Sequence, residues 1–307
     1  MSTRQVFLAL DKLRDAGILG CAFSGGEIFL REDILDILTY AIKKDFFFFY
    51  LMSNGTVCTR RHLDFIIEHR DYIRTFTMSV FSHVPEVNDR VFGVDNALER
   101  IRDTGSYLQK HGVVVKFNLN VLESTLDTFL ETKRFFAEKG YYIEYYYPPV
   151  TVFPECSAHC FSPYYHEQFY QQFLCRLSSE ERRALRNRLL TPGKSDSLCN
   201  GIQTLVTIDN RAHIKPCIAF FGMTMGNILD AGSLTDILQR SPEYRRLKSL
   251  TKQDISVCRD CRLRNLCSPC LGKLWSIDPH FCSPVPGYCI AMRLLYDYEE
   301  NGERGMQ

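Results

Sequence analysis

The sequence predicts an α/β fold, a parallel sheet covered by helices, with a separate cysteine-rich unit behind it. Two observations carry this. From the start to about residue 147, amphipathic segments alternate with short apolar runs, the pattern of repeated helix and strand units. Beyond that, Cys199 and Cys217 precede a grid of Cys258, Cys261, Cys267, Cys270, Cys282 and Cys289.

Taken in order, the first segment reads as a helix carrying Val6, Leu8, Leu10, Leu13 and Ala16. Strands are expected at Gly20–Phe23, 46–52, 75–80, 113–120 and 141–147. The helical stretches between them carry Ile34, Leu35, Ile37, Leu38 and Ile42, then Phe129, Phe135 and Phe136. The run FFFFYLM at 46–52 reads as a strand buried on both faces, as a helix-covered parallel sheet requires. Right-handed crossovers would coil such units into a barrel or a doubly wound sheet, and either leaves the functional loops at the C-terminal strand ends.

Pro148, Pro149 and Pro154 mark a boundary, residues 163–190 look helical, and Thr191, Pro192, Gly193, Ser195 and Asp196 make a loop leading to Cys199. The expected organisation is a sheet domain at 1–150, a helical linker at 151–198 and a cysteine domain at 199–307.

Charge and hydropathy exclude several functions. Thirty-seven basic against 36 acidic residues leave a net charge of +1, with no basic run for nucleic acid. The most apolar stretch, 46–52, is far short of the roughly 20 residues that cross a bilayer, so no membrane partner is expected and the protein should be soluble. Disulfides are opposed by the odd number of cysteines, 13, by the absence of a signal-like segment after Met1, and by 45% apolar residues able to build a core unaided. A reducing, cytoplasmic setting fits these features.

The grid is metal-site chemistry. CRDCRLRNLCSPC puts two Cys-x-x-Cys knuckles five residues apart, and each lets two thiolates converge on one metal or cluster edge. At the other end of the chain, Phe23-Ser24-Gly25-Gly26-Glu27 closes the first strand. Two glycines let a ligand approach the backbone and a carboxylate can pair with an amino group, although alone the motif reads as a turn with a helix-capping carboxylate. Ser53-Asn54-Gly55 ends the second strand, and Ser79 lies on the third.

These strand ends resemble the radical SAM enzymes, in which a Gly-Gly-Glu strand end holds the methionine end of S-adenosylmethionine, an Asn-Gly strand end follows and a third-strand serine contacts the nucleotide. The resemblance implies a partial (β/α)6 TIM-like barrel, lacking its first strand, with Gly25, Gly26, Glu27, Ser53, Asn54 and Ser79 as cofactor-binding residues. The C-terminal unit resembles the SPASM extension, which binds auxiliary iron-sulfur clusters. Its pattern is followed by Cys199, Asp209, Pro216-Cys217, Gly226-Asn227-Ile228, Ser233-Leu234, the Cys258-x-x-Cys261-x5-Cys267 run, Cys270 and Cys289. By resemblance, one 4Fe-4S cluster would use Cys258, Cys261, Cys267 and Cys289. The other would use Cys199, Cys217 and Cys270, with Leu205 near the place of a usual fourth cysteine, so that it has an open iron, takes Cys282 or is smaller.

One departure is large. The family's catalytic cluster uses Cys-x3-Cys-x2-Cys upstream of Gly-Gly-Glu, and only Cys21 precedes Gly25 here. The expectation is an N-terminally shortened, inactive form. Cys156 and Cys160 have the first spacing, but Pro163 stands where the third thiolate should fall; Cys21, Cys58 and Cys175 read as plain cysteines. Ile28 replaces the usual proline, Phe81-Ser82 an Asp-Gly, and Asp89-Arg90-Val91-Phe92-Gly93 a similar later motif, all of which bear on nucleotide contacts. Aromatic residues between 141 and 170 could line a substrate groove but read more readily as core, and His159 and His166 as ordinary polar residues.

The resemblance implies reductive cleavage of S-adenosylmethionine to a 5'-deoxyadenosyl radical, a peptide or protein substrate, and a reductant such as flavodoxin or ferredoxin. The alternative is a non-enzymatic scaffold holding structural zinc, for which two Cys-x-x-Cys knuckles serve equally well.

Overall fold

In a computed structural model, five parallel strands lie side by side in the order of the sequence: β1 (Gly20–Phe23), β2 (Phe48–Ser53), β3 (Ile73–Val80), β4 (Val115–Leu119) and β5 (Tyr142–Tyr145). The structure describes residues 1–145, 167–190, 198, 201–281 and 286–301, and the chain divides into two compact units, Met1–Pro149 and Val150–Gln307. The observed strands start and stop within two residues of their expected ends, the ordinary uncertainty of strand limits. Residues 146–166 lie outside the described part, and with them Tyr147, Pro148, Cys156, Cys160, His159 and His166.

Helices connect the strands: α1 (Thr3–Asp15) precedes β1, then come α2 (Ile34–Lys43), α3 (Arg60–Glu68), α4 (Pro85–Phe92), α5 (Ala97–Lys110) and α6 (Phe129–Glu138). A Ser2–Gln5 capping box fixes the start of α1, an interaction worth about 1 kcal/mol. Phe7 stacks on Tyr40 with centroids 3.9 Å apart, and Tyr40 Oη donates to Asp11 at 2.9 Å, which anchors α1 to α2. Of the residues expected on the α1 core face, Leu10 is buried but Leu8 is 43% exposed.

Strand alternation sets the core. Phe49 and Leu51 of β2, Phe76, Met78 and Val80 of β3, Val115, Phe117 and Leu119 of β4 all face one side and are buried. The opposite face carries Tyr50, Met52, Thr75, Thr77, Ser79, Lys116, Asn118, Tyr142 and Glu144, and much of it is open. The run at 46–52 is therefore not buried on both faces: Phe46 and Phe49 are enclosed, whereas Phe47, Tyr50 and Met52 are 61%, 38% and 39% exposed. The reason is that helices cover one face of this sheet, so a continuous apolar run cannot be wholly internal.

The second unit opens with α7 (Glu167–Arg176) and α8 (Ser179–Leu189), broken at Leu177 and Ser178 by a Ser178–Glu181 capping box. After α9 (Gly201–Thr204), a hairpin pairs β6 (Thr207–Ile208) antiparallel to β7 (Ile214–Lys215). Asp209 organises its turn, accepting the Arg211 and His213 amides at 2.9 Å and pairing with Lys215 at 3.0 Å. Burial works to raise the Asp209 carboxyl pKa, but Lys215 and the two amides outweigh it and hold it below the usual range. Then follow α10 (Leu234–Arg240), α11 (Pro242–Ser249), α12 (Ser256–Arg259), α13 (Leu271–Ile277) and α14 (Pro286–Asn301), the last packed against α7 and α8. No helix among the described residues is long and apolar enough to cross a membrane.

Gly55, after β2, is held at φ +75°, and an added Cβ would lie 2.6 Å from Met78 Sδ. Both the left-handed backbone and the contact oppose a side chain. Gly55→Ala should destabilise the protein by about 2 kcal/mol, read as a lower midpoint in denaturant unfolding.

Candidate functional site

The C-terminal ends of β1 and β2 meet through one carboxylate. Glu27 follows β1 and accepts from the Phe29 amide at 3.0 Å, the Ser53 hydroxyl at 2.9 and 3.0 Å, and the Asn54 amide at 2.6 Å. Ser53 Oγ in turn accepts from the Gly55 amide at 2.9 Å, and Asn54 Oδ1 from the amide and hydroxyl of Thr56 at 2.8 Å. Glu27 thus caps the short 3-10 helix Ile28–Leu30 and also ties it to β2, which the helix-cap reading covers only in part.

Gly25 and Gly26 are different. Neither has a positive φ, and a Cβ on either would meet nothing within 4 Å. Both are exposed, so nothing inside the chain requires glycine there. Bare backbone amides at an open strand end can take a ligand in close contact.

Ser79 lies beside Asn118 in register on the open face of the sheet, and Asn118 Oδ1 is enclosed without a hydrogen-bond partner. Next to them Lys116 Nζ pairs with Glu144 at 2.5 Å. Lys116, Asn118 and Glu144 escaped the sequence reading. The signal was there as polar residues two apart within apolar β4, the period that sends side chains to one face.

Five cysteines, Cys258, Cys261, Cys267, Cys270 and Cys289, line one cavity of about 540 Å³ in the second unit. Cys258 sits on α12, Cys267 bridges to Leu190, Cys270 precedes α13 and Cys289 lies on α14. Cys217 is not part of that wall. The segment that follows it packs on α13 so closely that a Cβ on Gly272 would stand 2.6 Å from that of Ala219. Cys199 and Cys282 lie outside the described residues.

Burial, then repulsion from Cys289, Cys267 and Cys261, pushes the Cys258 thiol up to about 12, and burial with Cys289 does the same to Cys267, at about 11. The sulfurs are thus close enough to oppose one another's ionisation, a set that a cation must neutralise. Tyr288, missed in the sequence, lies half-buried on the same wall and donates to the Ser268 carbonyl at 2.9 Å. Cys21 and Cys58 are each pushed to about 12, burial being the main cause, and neither has such company.

Comparisons with known proteins agree with this layout. Residues 1–136 match the Radical SAM superfamily, and residues 199–262 match SPASM, an iron-sulfur cluster-binding domain. The chain is a radical SAM protein with a SPASM extension. Its family cofactors are 4Fe-4S clusters and S-adenosylmethionine. The antilisterial bacteriocin subtilosin biosynthesis protein AlbA of Bacillus subtilis is 29% identical over 126 residues, 41% of this chain and 28% of that protein. The match spans under a third of AlbA's length. Among solved structures, Streptococcus suis SuiB has a TM-score of 0.67 at 17% identity, covering 92% of this chain and 69% of that one. Native anSMEcpe with bound AdoMet and Cp18Cys peptide has a TM-score of 0.70 at 18% identity, covering 98% and 89%. These likenesses establish the partial TIM-like barrel fold.

The residues present fit both cofactors. Free backbone at Gly25 and Gly26 and an orphaned acceptor at Asn118 suit an S-adenosylmethionine site on this radical SAM sheet. For the metal, one zinc would draw its thiolates in to about 2.3 Å. Among the described residues no three Cys, His, Asp or Glu side chains converge on one ion, and the cysteines instead border a chamber. Room between sulfurs suits a polynuclear cluster better than a single ion.

Two substitutions separate structural from ligand-facing residues here. Glu27→Gln would turn an amide donor toward a backbone N–H and should cost about 1–3 kcal/mol. Gly25→Ala should leave the thermal unfolding midpoint unchanged. Equal losses in both would contradict the distinction.

Proposed function

We propose that this radical SAM/SPASM protein takes part in modification of a peptide or protein, with the cysteine chamber holding auxiliary iron-sulfur clusters. The chamber itself carries the reading: five cysteines around about 540 Å³ form the sulfur donor set that an iron-sulfur cluster takes. Cys258, Cys261, Cys267 and Cys289 would hold one 4Fe-4S cluster, and Cys217 and Cys270, with Cys199 and a ligand such as Cys282, a second. Bound there, such clusters supply a site for electron transfer or substrate binding.

The chain's own residues supply position. Glu27 fixes the end of β1 against β2, which sets the bare amides of Gly25 and Gly26 at the strand ends. Ser79 and Asn118 lie in register on the open side of the sheet, and we assign them, with Asn54 at the end of β2, to the cofactor side, while Ser53, buried and bonded to Glu27, supports that strand end from the other face. A peptide substrate is supported by the neighbours: SuiB has been solved bound to its precursor peptide SuiA and anSMEcpe with the Cp18Cys peptide. A cytoplasmic setting and a flavodoxin or ferredoxin reductant accord with a cluster kept reduced.

We further propose that this polypeptide by itself does not cleave S-adenosylmethionine. Cys21 and Cys58 are its cysteines in residues 1–145, and both are half-buried thiols pushed up to about 12, mainly by burial. Release of 5'-deoxyadenosine by the reconstituted chain under reductant would contradict this.

Anaerobic purification and reconstitution, followed by iron and acid-labile sulfide analysis, tests the cluster reading. About eight irons with matching sulfide are expected for two four-iron clusters. Cys258→Ser, Cys261→Ser and Cys267→Ser should each lose about half the iron, while Cys21→Ser and Cys58→Ser keep it. About two zincs without sulfide would establish the scaffold reading instead.

A further inference from the structure

Lys252 differs from the other cations around the cysteine chamber. It lies between α11 and α12, is 1% exposed, and its Nζ donates to the Arg264 carbonyl at 2.8 Å. Arg262, Arg264 and Arg293 also line the chamber, but Arg262 and Arg293 are exposed, Arg264 is half-buried, and Arg262 pairs with Asp297. Among the described residues no carboxylate forms an ion pair with Lys252. One carbonyl is a poor substitute for the hydration that an enclosed ammonium gives up, and such a group persists where opposite charge stands close.

Among the described residues the one carboxylate on this wall, Asp260, is exposed and pairs with Arg259, which leaves the cysteine sulfurs to supply that charge. Lys252 borders the same chamber as Cys258, Cys261, Cys267, Cys270 and Cys289. Four thiolates on a four-iron cluster leave a net negative charge in the oxidised and the reduced state, and one added electron enlarges it. A fixed cation in low-dielectric surroundings therefore stabilises the reduced state more than the oxidised one.

We propose that Lys252 is the counter-ion of the cluster held by Cys258, Cys261, Cys267 and Cys289 and raises its reduction potential. The bond to Arg264 makes it a positioning residue as well, because it pins the ammonium to the loop between Cys261 and Cys267. No local pattern marks this role: Lys252 stands in a polar stretch, Thr251-Lys252-Gln253-Asp254, that reads as solvated surface. The inference rests on the iron-sulfur reading of the chamber.

The test uses the full chain, reconstituted anaerobically, as wild type, Lys252→Met and Lys252→Arg. Iron and sulfide are measured, folding is checked by circular dichroism, and each protein is titrated with dithionite while its reduced-cluster resonance is followed by electron paramagnetic resonance. The resonance missing from Cys258→Ser identifies the cluster concerned. At the wild-type midpoint, the ratio of reduced to oxidised cluster should fall at least tenfold in Lys252→Met, a shift of about 59 mV for one electron. Lys252→Arg should stay within about threefold of wild type. Loss of iron in folded Lys252→Met with retention in Lys252→Arg supports the same role. An unchanged midpoint in iron-loaded Lys252→Met overturns it, as does equal loss of iron in both variants. Wild type that holds neither iron nor sulfide overturns the cluster reading itself and this inference with it.

Discussion

Burial of the cysteine thiols, reinforced by their mutual repulsion, is the constraint on which the second unit depends. Burial and mutual proximity raise Cys258 to about 12 and Cys267 to about 11, so the thiols cannot ionise together at neutral pH without a cation among them. Binding a metal assembly would expel those protons and turn the repulsion into attraction, which couples folding of α12, the Cys261–Cys267 loop and α14 to the bound group. Tyr288 and Lys252 line the same chamber, one a half-buried phenol and the other an enclosed ammonium.

The first unit solves a different problem. Its sheet buries one face under helices and leaves the other open and polar, and its functional candidates gather where strands end. Glu27 makes this possible: one carboxylate accepting from Phe29, Ser53 and Asn54 holds two strand ends together without using Gly25 or Gly26. A charge-assisted set of this kind resists distortion more than neutral bonds would. The adjacent backbone is left both ordered and accessible.

Much of this was legible in the sequence. Strand placement followed from short apolar runs separated by amphipathic helices, and the cysteine grid from local spacing, because metal knuckles are nearly contiguous in sequence. What failed or escaped was long-range. FFFFYLM carries no mark of which face the helices cover, so the run alone reads Tyr50 and Met52 as core, whereas both are over a third exposed. Lys116, Asn118 and Glu144 become a group only when β3, β4 and β5 pair, and Lys252 gains its meaning only from cysteines up to 37 positions away. Glu27 was split between cap and ligand readings, and its bonds to Ser53 and Asn54 belong to neither alone.

The central claim is that the chamber holds iron and sulfide as a polynuclear cluster. X-ray absorption at the iron and zinc edges, on protein purified without oxygen, tests it most directly. The account predicts an iron edge with sulfur neighbours and a second shell of iron from adjacent metal atoms. A zinc edge with four sulfurs at about 2.3 Å and no metal neighbour would contradict it.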